Sequence, residues 1–97
     1  MFLDTNLKHG QSVEIRNFRY YVAGRTAAEI EILCFSDGTF AGQGIIIINT
    51  DDERFATKRV YESLDDVLKA VYEIVELKIK DNEWVKTTIK IIERNEK

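Results

Sequence analysis

The stretch Gly44-Ile45-Ile46-Ile47-Ile48-Asn49, four isoleucines between a glycine and an asparagine, decides how this chain folds. Isoleucine is branched at Cβ and favours extended backbone, so the run predicts a β-strand. Successive side chains of a strand point to opposite faces of a sheet, and four isoleucines in a row therefore make both faces apolar. The stretch predicts a central strand that other parts of the molecule must cover on both sides.

Length and composition are those of one folded domain. The chain has 97 residues, 44% hydrophobic and 32% charged, with a formal net charge of -3. This size suits a single core, and the acidic balance disfavours non-specific binding to a phosphate backbone. We therefore expect one domain over residues 1–97, with residues 1–11 as an arm and residues 93–97 as a frayed tail.

The single cysteine, Cys34, cannot form an internal disulfide and is expected to be a small buried hydrophobe in a reducing compartment. No stretch approaches the roughly 18 apolar residues of a membrane span, and residues 1–10 contain no run typical of a signal peptide. The sequence predicts a cytoplasmic protein without membrane contact.

Four extended segments precede a helix. In the first, which begins at Val13, the apolar positions change parity between Ile15 and Phe18, which predicts a bulge at Asn17 or, as the alternative, a tight turn at Arg16-Asn17. Asp37-Gly38 lies between two strand-like runs and predicts a hairpin turn, because both residues tolerate positive φ. The other predicted strands are Ala28 to Phe35, Phe40 to Asn49 and Phe55 to Glu62.

Ser63 is placed to cap a helix, since its hydroxyl can accept from the amide three residues later. Apolar residues then recur at three- and four-residue spacings up to about Lys80, which predicts one amphipathic helix. Alternation from Val85 to Ile91 predicts a last strand. The expected fold is α+β, an antiparallel sheet of four to five strands in the order β-β-β-β-α-β, with the helix packed on one face.

One helix covers only one face of a sheet, so half of the isoleucine run is expected on an uncovered face. An apolar patch of that kind exceeds what a monomer usually leaves open to water, and a twofold homodimer, face to face or edge to edge, is the commonest remedy. Another protein partner is the second possibility, and an arm carrying Phe2 and Leu3 that folds over the face is the alternative. The predicted interface comprises Leu33, Phe35, Ile45, Ile46, Ile47 and Ile48.

A basic and aromatic segment supports a second hypothesis. Arginines interleaved with aromatic side chains can stack on bases and hold phosphates, as in single-strand binders. Glu29 and Glu31 are expected to face this segment from the neighbouring strand, where ion pairs between strands are ordinary. The alternative function is a nucleic-acid or nucleotide binder that uses Arg16, Arg19, Tyr21 and Arg25.

No arrangement of residues indicates catalysis or a cofactor. His9 is the only histidine, no His/Cys cluster has the spacing of metal ligands, and Asp51-Asp52-Glu53 lacks the ligand pattern of a calcium loop. The leading hypothesis is a non-enzymatic binding or regulatory protein that acts through protein–protein contact. Small size, acidity and the lack of a catalytic motif are typical of accessory proteins from phages and other mobile elements, including inhibitors of host defence.

Overall fold

The computed structural model describes residues 13–95, with side chains over residues 13–91. It contains a four-stranded antiparallel sheet followed by two helices, which confirms the α+β class. The predicted arm, residues 1–11, lies outside the described residues. The elements are β1 (Val13–Val22), β2 (Arg25–Phe35), β3 (Phe40–Ile46), β4 (Glu53–Ala56), α1 (Leu64–Ile79) and α2 (Glu83–Asn95), and the strands lie in the order β1-β2-β3-β4.

The isoleucine run begins inside the sheet and ends outside it. Strand β3 stops at Ile46, not at Asn49 as predicted, because the amides of Ile47 and Ile48 both donate to the carbonyl of Ala27, at 2.9 and 3.2 Å. Ile46 and Ile48 are nevertheless buried in the core beneath the helices. The run therefore supplies core side chains both within the strand and just beyond it.

Helix α1 closes the core, as its apolar spacing predicts. The Ser63 hydroxyl accepts from the amide of Asp66 at 3.1 Å, which confirms the predicted helix start. The core between α1 and the sheet is one cluster, whose most deeply buried large side chains are Ile30, Ile32, Ile46, Val67, Val71 and Val75.

The hairpin turn between β2 and β3 confirms the Asp-Gly signal. Gly38 has a φ of +88°, a conformation that glycine adopts without strain. The carboxylate of Asp37 accepts from the amide and the hydroxyl of Thr39, at 3.0 and 2.6 Å. The turn thus fixes the register of the two central strands.

Asn17 marks neither a bulge nor a turn, so both predicted alternatives are wrong. The pairing of β1 with β2 is regular from Val13 opposite Phe35 to Tyr20 opposite Ala28, and the irregularity falls after Tyr20, where β2 contributes an extra residue. The parity change has a simpler cause. Ile15 points away from the helices and is 45% exposed, whereas Phe18 packs against the core.

The predicted last strand is instead helix α2, which runs from Glu83 through Asn95 and includes the start of the predicted frayed tail. The side-chain oxygen of Asn82 accepts from the amide of Val85 at 3.0 Å and so caps the first turn. Val85 is buried in the core. Apolar residues at 85 and 89 fit the spacing of a helix as well as the alternation of a strand, which is why the sequence pattern predicted a strand here.

The fourth strand is shorter than predicted and lies earlier, at Glu53–Ala56 and not at Phe55 to Glu62. Beyond it the Thr57 hydroxyl accepts from the amide of Gly42 and donates to the carbonyl of Arg59, both at 3.1 Å. Tyr61 then rejoins the edge by pairing with Phe40. A side-chain hydroxyl thus takes over hydrogen bonds that a continuous strand would have made.

Candidate interaction surfaces

The side of the sheet away from α1, called the outer face here, is built from the odd-numbered residues of the three long strands. Cross-strand pairing places Ile15, Leu33 and Ala41 in one row across it. Polar and charged side chains make up most of the next two rows. These are Asn17, Glu31, Gln43 and Ala56, and then Arg19, Glu29, Ile45 and Arg54.

The predicted interface residues divide between the two sides of the sheet. Leu33, Phe35 and Ile45 lie on the outer face, whereas Ile46 and Ile48 belong to the core. Ile47, beyond the end of β3, is half-buried. The structure therefore does not bring the six residues together.

The centre of the outer face is buried. Leu33 is 0% exposed, and Ala41 is equally inaccessible. The predicted large apolar patch around Leu33 is therefore absent from the surface. The alternative that an arm with Phe2 and Leu3 covers this face concerns residues outside the described ones.

A pair formed by buried Gln43 and half-buried Glu31 lies beside Leu33 in the middle of the outer face. Gln43, only 2% exposed, donates through Nε2 to Glu31 Oε1 at 2.8 Å. Gln43 Oε1 is buried and has no hydrogen-bond partner among the described residues. An unpaired buried acceptor costs free energy, so Gln43 contributes less to stability than its hydrogen bond to Glu31 alone would suggest.

Two of the four predicted basic and aromatic residues come together. Arg19 and Tyr21 line an open concavity of about 690 Å³ on the outer face. Glu29 and Glu31 line the same concavity, with Glu29 directly opposite Arg19, which confirms their expected placement. The surface carries both signs of charge, with Arg54 at the far side.

Arg16 and Arg25 lie elsewhere. Arg16 has the opposite parity to Arg19 and approaches Glu14 of the same strand at 3.6 Å. The Arg25 guanidinium stacks over the Trp84 ring of α2, 4.8 Å from its centroid. The predicted four-residue binding surface is therefore reduced to Arg19 and Tyr21.

Helix α2 carries an apolar surface that the strand prediction missed. Its Val85 packs into the core, but Trp84, Ile89 and Ile91 are 38%, 42% and 52% exposed. The signal was present in the sequence, since residues 84, 85, 88, 89 and 91 fall on one side of a helix. We call Trp84, Ile89 and Ile91 the α2 apolar surface.

An asparagine network anchors the start of α2. Asn82 Nδ2 donates to the carbonyl of Ile48 at 3.2 Å and to Asn49 Oδ1 at 2.9 Å. Asn49 in turn donates to the carbonyl of Lys78 near the end of α1, at 3.2 Å. The polar end of the isoleucine run is therefore what positions α2.

A smaller apolar surface lies between α1 and β4. Leu77 of α1 is 64% exposed beside a concavity of about 530 Å³ that Phe55, Tyr61 and Ile74 also line. The guanidinium of Arg59 stacks over Tyr61 at 4.7 Å. Its lining combines these apolar side chains with the charged side chains of Lys58, Arg59, Glu73 and Lys78.

Side chains that could bind a metal ion are not grouped together within residues 13–95. These residues contain no group of three or more His, Cys, Asp or Glu side chains that could hold a metal ion. The predicted acidic loop is exposed, and Glu53 pairs with Lys78 of α1. His9 lies outside the described residues. None of the described helices is long and apolar enough to cross a membrane.

Comparison with known proteins gives no relative from which to infer function. No protein-family model matches the chain, and neither the curated proteins nor the solved structures give a significant match.

Proposed function

We propose that this chain is a non-enzymatic binding protein that acts through protein–protein contact, as a homodimer whose helix α2 docks on another protein. The observation that carries this proposal is the α2 apolar surface. Trp84, Ile89 and Ile91 expose 38% to 52% of their surface, and Val85 is the one deeply buried side chain among residues 83–91 of the helix.

An amphipathic helix with an open apolar side fits one established mode of recognition, in which such a helix lies in an apolar groove of its partner. Exposed single hydrophobes are ordinary. Three large ones on one short helix are apolar area that contact with a partner would remove from water. Helix α2 is held to the core at its first turn, and Trp84, Ile89 and Ile91 remain partly exposed to solvent.

The charges beside the α2 apolar surface favour a partner of a particular kind. Lys86 and Lys90 are both exposed on the polar side of the helix. Glu83 approaches Lys86 at 3.6 Å, an exposed pair that contributes little. A groove that is apolar at its centre and carries carboxylates at its rim would complement this helix.

The test is a capture experiment from the native host with matched baits. Wild-type protein should retain a partner that the Ile89→Gln/Ile91→Gln variant loses, because glutamine keeps a helix-compatible side chain but removes the apolar contact. The control, Lys86→Gln/Lys90→Gln, changes the opposite side and should keep the partner with a weaker dependence on salt. Equal capture by wild type and by the apolar variant would contradict docking through α2.

The homodimer is tested separately by sedimentation equilibrium. The expected mass is twice the monomer mass of 11.3 kDa. A single monomeric species up to the highest soluble concentration would overturn this part of the proposal. The two experiments are independent, since the first concerns α2 and the second concerns self-association.

A second candidate function has one observation in its favour, the convergence of Arg19, Tyr21 and Arg54 on the outer-face concavity. A nucleotide or short single strand could stack on Tyr21 and place a phosphate near Arg19. Binding should then appear by fluorescence anisotropy at low salt and fall with added salt and with Arg19→Ala. No signal at low salt would dismiss this function. Glu29 and Glu31 in the same concavity weigh against it.

A further inference from the structure

Strand β1 is a long edge of the described sheet. It has ten residues, from Val13 to Val22, and within residues 13–95 it pairs only with β2. The opposite edge, β4, has four residues. The unpaired backbone groups along an edge strand form a ready template for another strand, and a long straight edge is the better template.

Features that usually block an edge are few in β1. The chain contains no proline, and the pairing of β1 with β2 stays regular over eight residues from Val13 to Tyr20. The irregularity after Tyr20 arises from an extra residue in β2, so the alternation of β1 continues through Tyr21. The charged side chains Glu14, Arg16 and Arg19 are of both signs, so they restrict which register can form more than they prevent pairing.

The two large exposed hydrophobes of the sheet both lie on the outer face of this edge strand. Ile15 is 45% exposed and Tyr21 is 54% exposed. They stand three positions on either side of Phe18, whose side chain points to the helix side and packs against the core. A symmetric contact centred on Phe18 would therefore bring each of them against the other.

We propose that β1 pairs antiparallel with β1 of a second copy, about a twofold axis through Phe18, so that two sheets join into one of eight strands. This inference rests on the proposed homodimer and names its interface. The axis places Ile15 opposite Tyr21 of the second copy, and Asn17 opposite its Arg19. An aliphatic side chain beside an aromatic one across two strands is a favourable pair.

The same axis suits the helix side of the strand. Arg16 lies opposite Tyr20 of the second copy, where a guanidinium can contact an aromatic ring, and Glu14 lies opposite Val22. Phe18 meets its own symmetry mate. No two charges of the same sign stand opposite each other in this register.

Neighbouring registers are worse. A twofold axis perpendicular to the joined sheet keeps each side chain on its own face. Opposed residues must then both be odd-numbered or both even-numbered, so the axis passes between one residue and its own symmetry mate. An axis through Arg16 or Arg19 sets two arginines directly opposite each other, and like charges so placed are destabilising. An axis through Asn17 sets Ile15 against the charged Arg19 and leaves Tyr21 opposite Val13, the first residue of the strand. Phe18 is the centre that the side chains favour.

Disulfide trapping tests the register, in a Cys34→Ala background so that the introduced thiols are the only ones. An equimolar mixture of Ile15→Cys and Tyr21→Cys variants should form a cross-linked dimer on mild oxidation, since directly opposed residues fall within the Cα separation that a disulfide needs. Either variant alone should not form a cross-linked dimer, because the same residue in the two copies would lie about 20 Å apart along the strand.

Two further variants keep the test decisive without cross-linking. Both positions are exposed, so Ile15→Lys/Tyr21→Lys should fold, as judged by circular dichroism, and should raise the dimer dissociation constant roughly tenfold through like charges placed opposite each other. The charge-matched Ile15→Glu/Tyr21→Lys variant should restore dimerisation. If the wild type is a dimer but the Cys variants do not cross-link and the Lys variant dimerises as well as wild type, the β1 interface is wrong. If the wild type is a monomer, the homodimer itself is wrong.

Discussion

Gly42 of β3 lies directly beneath Val71 of α1, so close that a Cβ atom on the glycine would collide with Val71 Cγ2. The neighbouring Thr57 and Ile32 side chains would also be in contact with that atom, at 3.5 and 3.4 Å. The helix can approach the central strand only because this position has no side chain. Gly42 thus sets the depth at which α1 sits on the sheet.

Adding one methyl group at this contact should destabilise the fold. We predict that Gly42→Ala lowers the free energy of unfolding by about 1–3 kcal/mol, the usual cost of overpacking a close-packed core. Chemical denaturation of the variant and of wild type measures the difference. The expected sign follows because Val71 is fully buried, so the new methyl group must displace packed core atoms.

The matched control is the double variant Gly42→Ala/Val71→Ala. Val71→Ala alone should cost about 2 kcal/mol by removing buried methyl groups. In the double variant the new methyl at residue 42 occupies part of that space, so its loss should be smaller than the sum of the two single losses by about 1 kcal/mol or more. Strict additivity would show that the two residues do not share this contact.

Asn82 should control whether α2 stays docked. Asn82→Ala removes the N-cap of α2 and the hydrogen bonds to Ile48 and Asn49, so we predict a loss of about 1–3 kcal/mol of stability. Asn82→Asp keeps an acceptor for the Val85 amide and should preserve the helix while weakening its anchor. Trp84 is the only tryptophan, so its fluorescence reports docking directly. An Ala variant with wild-type stability and emission would contradict this role.

How far the sequence predicts the fold depends on whether a signal is local. The Asp37-Gly38 turn and the Ser63 cap were predicted correctly because each acts within a few residues of itself. The isoleucine run was likewise correct as a central strand. Its end was not, because the carbonyl that ends the ladder belongs to Ala27, on another strand.

The α2 segment shows where pattern alone is ambiguous. Val85, Ile89 and Ile91 fit strand alternation, and Val85 with Ile89 fits a helical face equally well. Asn82 favours the helix over the strand, because its side chain caps the first turn and also hydrogen-bonds to Ile48 and Asn49. Sequence spacing could not show those distant partners.

The residues of each predicted surface are only partly brought together, for a similar reason. The alternation of side chains along β2 placed Leu33 on the outer face correctly. Alternation does not show whether a face is exposed to solvent, and Leu33 is buried. Arg25 was grouped with Arg19 by proximity in the chain, yet its partner is Trp84, almost sixty residues away. Contacts between residues far apart in the chain cannot be predicted from the periodicity of a short segment.

The β2–β3 turn should respond to acid. Hydrogen bonds from the Thr39 hydroxyl and amide hold the pKa of Asp37 below its usual value of 3.8. The turn therefore gains stability above that value and loses it as the pH falls through the lower pKa of the folded state. Thr39→Ala should raise the Asp37 pKa toward its usual value, and Thr39→Ser should leave it low, as carboxyl NMR titration would show. An unchanged pKa in the Ala variant would contradict the role of the hydroxyl.

The contact between β1 and α1 should respond to alkali through Tyr20. Partial burial, and then the charge and hydrogen bond of Glu76 at 3.4 Å, raise the pKa of Tyr20 above 10.0. The ring also packs edge to face with Tyr72, with centroids 5.7 Å apart. Because the folded state holds the phenol proton more tightly, this contribution to stability is full below pH 10.0 and declines as the pH rises through the raised pKa.

Glu76→Gln should lower the Tyr20 pKa while leaving the effect of burial, and Tyr20→Phe should remove this loss of stability. Tyrosinate absorbance titrations of the three proteins measure the pKa, with Tyr21→Phe as a control on the outer face, and chemical denaturation at alkaline pH measures the stability. A Tyr20 titration that is indifferent to Glu76→Gln would show that burial alone sets its pKa.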